Sequence, residues 1–199
     1  MPERQFSEDL EAWLSSDGVK TLGVLGDAFG EKSFAVTILL LMFVPALPLP
    51  TGGITHVFEV VTVLLAIQMV LGRRTIWLPR RFQERELGAS ITGKAVPFII
   101  RRVRWFERFS RPRFAGLFRQ RWFVRILGLV IIAFTAGAAL APPFSGLDTL
   151  PALGVVTISL AIILEDVVVL GAGALIGVGG IALIVTIGAA LASFLRGLF

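Results

Sequence analysis

The chain of 199 residues has no cysteine and a single histidine, His56. The first absence excludes thiol catalysis and thiolate metal sites, and it leaves the redox compartment unreadable. The second excludes a multi-histidine metal centre. No P-loop, GxSxG or HExxH pattern occurs, so phosphate-cradling, acyl-transfer and zinc-hydrolase chemistries lose their supports together. No metal, cofactor or catalytic residue is expected. Charge is scarce as well, at 17% of residues, where soluble domains carry about 25%. It is also segregated. Fifteen of the 19 Lys and Arg fall between Arg73 and Arg125, and none falls between Ile126 and Leu195. The first 32 residues are charged throughout. They contain no apolar signal-peptide core, so no cleaved leader is expected.

What fills the chain instead is apolar: 55% hydrophobic residues and a mean hydropathy of +0.84. Long apolar runs beside a concentrated basic stretch indicate a polytopic membrane protein. The stretch "FSEDLEAWLSS" (6–16) has the pattern of an amphipathic helix. Ser7 is a cap candidate, Glu8 and Asp9 suit the N-terminal dipole, and Asp17-Gly18 ends it. Phe6, Leu10, Trp13 and Leu14 share a face, which rests on a membrane or on the rest of the protein. The apolar run 33–46 is shorter than the roughly 20 residues a span needs. "LPLPTGG" interrupts it, and apolar character resumes from Ile54 to Leu71. The segment is either two spans joined by a tight turn or a broken hairpin with its tip inside the membrane.

From Arg73 to Arg125, apolar and basic residues alternate at helical spacing. Phe98, Ile99, Val103, Phe106 and Phe109 interleave with Arg101, Arg104 and Arg108. Helices of this kind lie in the headgroup plane of anionic leaflets, and the positive-inside rule puts them on the cytoplasmic side. A nucleic-acid role is not expected, because a membrane already supplies a resting place for the apolar faces. The second half runs "RILGLVIIAFTAGAAL", "APPFSGLDTLPALG", "VVTISLAIIL" and "ED", followed by a Gly-rich apolar segment from Val167 to Leu195.

The halves resemble each other. "VVTVLLAI" (60–67) and "VVTISLAI" (155–162) agree at six of eight positions. Each follows a proline pair and a glycine, at 47–54 and 140–147. The expected fold is therefore an all-α polytopic membrane protein. It has about 4–6 transmembrane or re-entrant helices in two Pro/Gly-broken repeats, plus basic amphipathic interfacial helices. The division is 1–30, an N-terminal amphipathic segment; 31–72, repeat 1, broken at 46–53; 73–125, the basic connection; 126–166, repeat 2, broken at 141–147; and 167–199, the Gly-rich C-terminal region. Whether the repeats are parallel or inverted depends on how many times each crosses.

Paired broken segments in two halves point to a transporter's central site, because freed backbone groups are tolerated only where buried or facing a wet cavity. Candidates for binding a small or anionic solute are Thr51, Gly52, Gly53, Ser145 and Gly146, which offer hydroxyls and N–H groups, together with His56, Glu59, Gln68 and Asp148. Imidazole changes charge near physiological pH, and Glu59 lies one helical turn beyond His56. Intramembrane carboxylates are costly and point to function, so His56, Glu59, Glu165 and Asp166 are the proton or cation candidates. Each has a plainer reading as well. His56 and Glu59 suit a wet span end, Glu165-Asp166 a solvated turn, Asp148 a helix cap and Gln68 an interhelical hydrogen bond. Arg73, Arg74, Arg101, Arg104 and Arg108 are candidates for lipid-headgroup contact or topology anchoring.

Two motifs carry a family resemblance. One is the A-x-Q-M-x-x-G-R-x-x-x-W-L-P run of Ala66, Gln68, Met69, Gly72, Arg73, Trp77, Leu78 and Pro79. The other comprises Pro143, Phe144, Leu150, Pro151 and Ala152. From about residue 30 onward the chain resembles the ExoD family of bacterial exopolysaccharide synthesis proteins. It departs from the family pattern at Ile76, where a proline is common, and at the adjacent acids Glu165-Asp166. The resemblance implies an inner-membrane protein linked to exopolysaccharide production and supplies no reaction. The expected function is a small secondary transporter, proton-coupled in its sharper form, with its site at the two broken tips. The alternative is a non-transporting accessory subunit of the polysaccharide machinery. A lipid-linked-sugar enzyme using Glu59 with Glu165 or Asp166 ranks lowest. Expected partners are anionic lipids, a second copy of the chain, and that machinery.

Overall fold

A computed structural model describes residues 6–16, 18, 21, 32–47, 54–73, 76–77, 93, 96–109, 113–141 and 145–198. Among these the regular structure is helical. In chain order it comprises α1 (Phe6–Ser15), α2 (Ser33–Phe43), α3 (Ile54–Val70), α4 (Val96–Phe109), α5 (Ala115–Phe118), α6 (Arg121–Ala139), α7 (Thr149–Leu164) and α8 (Val167–Leu198).

Each sequence repeat folds as a helical hairpin, α2–α3 and α6–α7. The hairpins pack crosswise, α2 against α7 and α3 against α6, and α6 and α7 also touch. The result is a closed four-helix arrangement in which the first helix of each hairpin meets the second helix of the other. Close contacts give the directions. Gly72, after α3, lies against the Arg125 guanidinium near the start of α6, and Gly128 lies on Val70 and Ala66. Lys32, before α2, reaches Ile163 and Glu165 at the end of α7. All four helices therefore begin or end together at a basic end, while the ends of α2 and α6 and the starts of α3 and α7 lie at the other, interrupted end. Each hairpin goes out and back, so the repeats run parallel.

The bundle centre is packed. Ile38, Leu65, Ile131 and Ile158, one from each helix, are fully buried. α2 is buried over all of Ser33–Met42, and Phe98 of α4 rests on its Phe43 with ring centroids 5.5 Å apart. α8 lies back along α7 and touches α6. A Cβ on Gly154 would come within 2.6 Å of the Gly177 Cα, and a Cβ on Gly177 would strike the Phe134 ring. Two helix backbones thus approach as closely as glycine permits, which is how helices hold together where lipid removes the hydrophobic incentive to associate.

Among the described residues two helices, Arg121–Ala139 and Val167–Ala190, are long and apolar enough to cross a membrane, and three shorter apolar helices accompany them. Only 33% and 22% of the two long apolar windows is buried in the protein, so these helices present apolar faces outward. α3 does the same through Val57, Val60, Leu64 and Ile67.

The basic amphipathic helix α4 differs from expectation. Part of its apolar face (Val96, Ile99, Ile100, Val103) is buried in the protein core, together with Leu10 and Trp13 of α1. The two helices pack on each other, and Arg104 pairs with Glu11. A protein surface covers this α4 face where a lipid surface was expected, and of the two supports expected for α1 it is the rest of the protein that covers it. Periodicity announces that a face is covered and carries no record of what covers it.

Candidate functional site

The candidate residues divide between the two ends. His56, Glu59, Ser145, Gly146 and Asp148 lie toward the interrupted end. Gln68, Arg73, Glu165 and Asp166 lie at the basic end. Twelve residues of α3 separate His56 from Gln68, which is about 18 Å of helix, so these two cannot share a site. Thr51, Gly52, Gly53 and Arg74, the motif residues Leu78, Pro79, Pro143 and Phe144, and the Arg108 side chain lie outside the described residues. On α4, Arg101 is exposed and Arg104 half-buried.

The closest association is on the first turns of α3. His56 Nδ1 and Glu59 Oε2 are 2.7 Å apart, so one proton lies between them. The His56 side chain is 51% exposed and that of Glu59 only 3%. Glu59 Oε1 is buried and makes no hydrogen bond. The carboxyl borders a groove of about 360 Å³ between α3 and α6, otherwise lined almost entirely by apolar side chains and by Thr135. The hydroxyls of Thr135 and of Thr62 on α3 are likewise buried and unsatisfied. Isolated buried charge is costly by several kcal/mol, and the pairing meets that cost. His56 connects this carboxyl to the exterior. Sequence reasoning paired His56 with Glu59 through their spacing but missed Thr135, one hydroxyl in an apolar run with no motif around it.

The remaining candidates have structural engagements. Gln68 is clamped on a backbone. Its Oε1 accepts from the Trp77 N–H at 2.7 Å, and its Nε2 donates to the Trp77 carbonyl at 2.7 Å and to the Leu64 carbonyl at 3.2 Å. The interhelical bond expected for it is absent. Its amide instead fixes the chain leaving α3, past Gly72, whose φ of +74° suits glycine. Glu165 ends α7 in the left-handed region and pairs with Lys32 at 3.1 Å. Buried Asp166 accepts from the Val168 N–H at 2.8 Å and so caps α8. Asp148 occupies the N-cap position of α7, but its side chain makes no capping bond. The hydroxyl of Ser145 accepts from the Leu147 N–H at 3.2 Å, and Gly146 turns at φ +69°. Among the described residues no group of three or more His, Asp or Glu is placed to hold a metal.

Comparison with known proteins adds a family. A family model described as "Exopolysaccharide synthesis, ExoD" matches residues 6–186. The chain is 29% identical over 179 residues to Protein ExoD of Rhizobium meliloti, covering 86% of this chain and 72% of that protein. It is also 29% identical over 154 residues to the uncharacterized protein slr1875 of Synechocystis sp., covering 74% and 69%. No solved structure matches. With a family match spanning nearly the whole chain, and with the Gln68–Trp77 clamp giving the family-like motif a physical purpose, the chain belongs to the ExoD family, which is linked to exopolysaccharide synthesis.

Proposed function

We propose that the chain is a multi-pass protein of the bacterial inner membrane that serves exopolysaccharide synthesis as a small proton-coupled secondary transporter. Residues 31–72 and 126–166 are its two membrane repeats. His56 and Glu59 handle the proton, and Ser145, Gly146 and Asp148 at the same end belong to the entrance. The outward apolar faces of α3, α6 and α8 support the multi-pass reading, since a soluble bundle would bury them. One observation carries the coupling: a buried carboxyl with one unsatisfied oxygen, tied to an exposed imidazole and bordering an apolar groove. Such a group exchanges a proton with the exterior, and the charge left behind is tolerable only if another group or solute compensates it.

The test uses proteoliposomes loaded with a pH-sensitive dye. Gradients of sodium, potassium, chloride, succinate, pyruvate and glucose are imposed in turn. At least one should drive proton movement with the native chain, and Glu59→Gln should reduce that movement by tenfold or more. Silence of the native chain under every gradient would sink the coupling.

The packed bundle centre favours a second reading. Fully buried Ile38, Leu65, Ile131 and Ile158 fill the centre with apolar side chains, one from each helix. In that reading the chain is a non-transporting accessory subunit of the polysaccharide machinery. Crosslinking in cells would then capture a polymerase or flippase, and Glu59→Gln would leave polymer output unchanged.

A further inference from the structure

At the basic end, opposite the His56–Glu59 pair, a cavity of about 440 Å³ opens between the helix ends. Four cationic side chains line it from separate parts of the chain: Lys32 before α2, Arg73 after α3, Arg119 after α5 and Arg121 at the start of α6. Among the described residues Glu165 is the one acidic residue lining it. Lys32 is already engaged, donating to Glu165 and, at 2.9 Å, to the Ile163 carbonyl. The guanidinium groups of Arg73, Arg119 and Arg121 have no compensating carboxylate among the described lining residues. The backbone contributes the same sign. α2 and α6 both begin here, and neither receives a side-chain capping bond at its N-terminus, so free N–H groups add positive potential. The floor is apolar, with Phe34, Met69 and Ile162.

Three uncompensated guanidinium groups above an apolar floor match one ligand chemistry. Guanidinium presents paired donors that fit the oxygens of phosphate, and such bonds are about twice as strong as neutral ones. The apolar floor suits the hydrocarbon or ring that a phosphate ester carries. Positive charge at a cytoplasmic boundary is by itself only a topology signal. The enclosure and the mixed lining distinguish this place from a general basic surface. We propose that the cavity is a binding site for the phosphate group of a phosphorylated ligand, held by Arg73, Arg119 and Arg121. The ligand is either an anionic lipid or a soluble phosphate ester. The site does not depend on the transport reading, because it lies at the other end of the bundle and uses none of the same side chains.

Two arms distinguish the sources. In the first, detergent-purified full-length protein is titrated with phosphatidic acid and bound lipid is counted by native mass spectrometry. In the second, the protein in phosphatidylcholine nanodiscs is titrated calorimetrically with inorganic pyrophosphate. Each titration is repeated with the double variant Arg119→Gln/Arg121→Gln and with Arg113→Gln, an exposed arginine between α4 and α5 that does not line the cavity. The expected result is saturable binding in at least one arm, weakened about tenfold or more by the double variant and unchanged by Arg113→Gln. Saturation in the lipid arm alone identifies a headgroup, and in the pyrophosphate arm alone a soluble ester. If the double variant fails to fold, Arg119→Lys/Arg121→Lys replaces it and should still lose affinity, because lysine lacks the paired donors. Failure to saturate in both arms would overturn the proposal. So would an equal loss with Arg113→Gln, which would mean that overall charge alone attracts phosphate.

Discussion

At the scale of single residues, a polar side chain in an apolar helix has two very different employments here. Gln68 and Glu59 both lie on α3 and both are buried, yet one is satisfied and the other is not. Gln68 places its amide on both polar groups of the Trp77 backbone. Replacing it with leucine would remove two hydrogen bonds to the Trp77 backbone, each contributing about 0.5–1.5 kcal/mol net. Trypsin cleavage after Arg73 should then accelerate and the melting temperature should fall, while Glu59→Gln, of nearly the same shape, should leave both unchanged. Equal sensitivity of the two variants would remove the distinction between a structural and a functional polar group. The sequence displayed both residues plainly. It hid the difference, because a backbone partner nine residues away has no side-chain signature, and an unsatisfied oxygen is a property of packing alone.

At the scale of elements, α7 and α8 illustrate what small residues do. Gly154 and Gly177 meet backbone to backbone, Gly173 rests on Ile158, and Gly180 meets Leu150 and Pro151, while Gly171 and Gly179 face open space. The glycines of α8 therefore fall into two classes. Gly154→Leu would force a side chain into the space of a neighbouring backbone, and separating the helices sacrifices the close contacts that hold them. A loss of at least 2 kcal/mol, roughly a cavity-scale defect in reverse, is expected, and the purified protein should aggregate or melt early. Gly179→Ala meets nothing within 4 Å and should hold or raise the melting temperature, since alanine is the better helix former by about 0.5–1 kcal/mol. The sequence marked α8 as a close-packing helix but not which glycines pack, because that requires knowing the register against α7. The same limit applied to α4. Its stripe was legible, and the burial of that stripe beside α1 was not.

At the scale of the whole molecule, the organising feature is that both hairpins point the same way. Lys32, Gly72, Arg125 and Glu165 gather at one end, and the ends of α2 and α6 lie at the other. The two ends of the basic connection, at Arg73 and Arg125, then lie on one side of any membrane the bundle spans. The repeated order of apolar run, breaker and apolar run was visible in the sequence. The crosswise pairing of α2 with α7 and α3 with α6 was not, because every interior face is built from the same valines, leucines and isoleucines. The arrangement makes a sidedness prediction that the absence of native cysteine renders straightforward. Ser145→Cys and Arg119→Cys are made separately and exposed to an impermeant thiol reagent from one side at a time. Ser145→Cys should react only from the periplasmic side and Arg119→Cys only from the cytoplasmic side, each fast and independent of the other. Labelling of both from one side would require a hairpin that enters and leaves without crossing. Slow labelling of Ser145→Cys from both sides, changing with pH only when Glu59 is intact, would instead show that the interrupted end opens to alternate sides and that the buried carboxyl governs the opening.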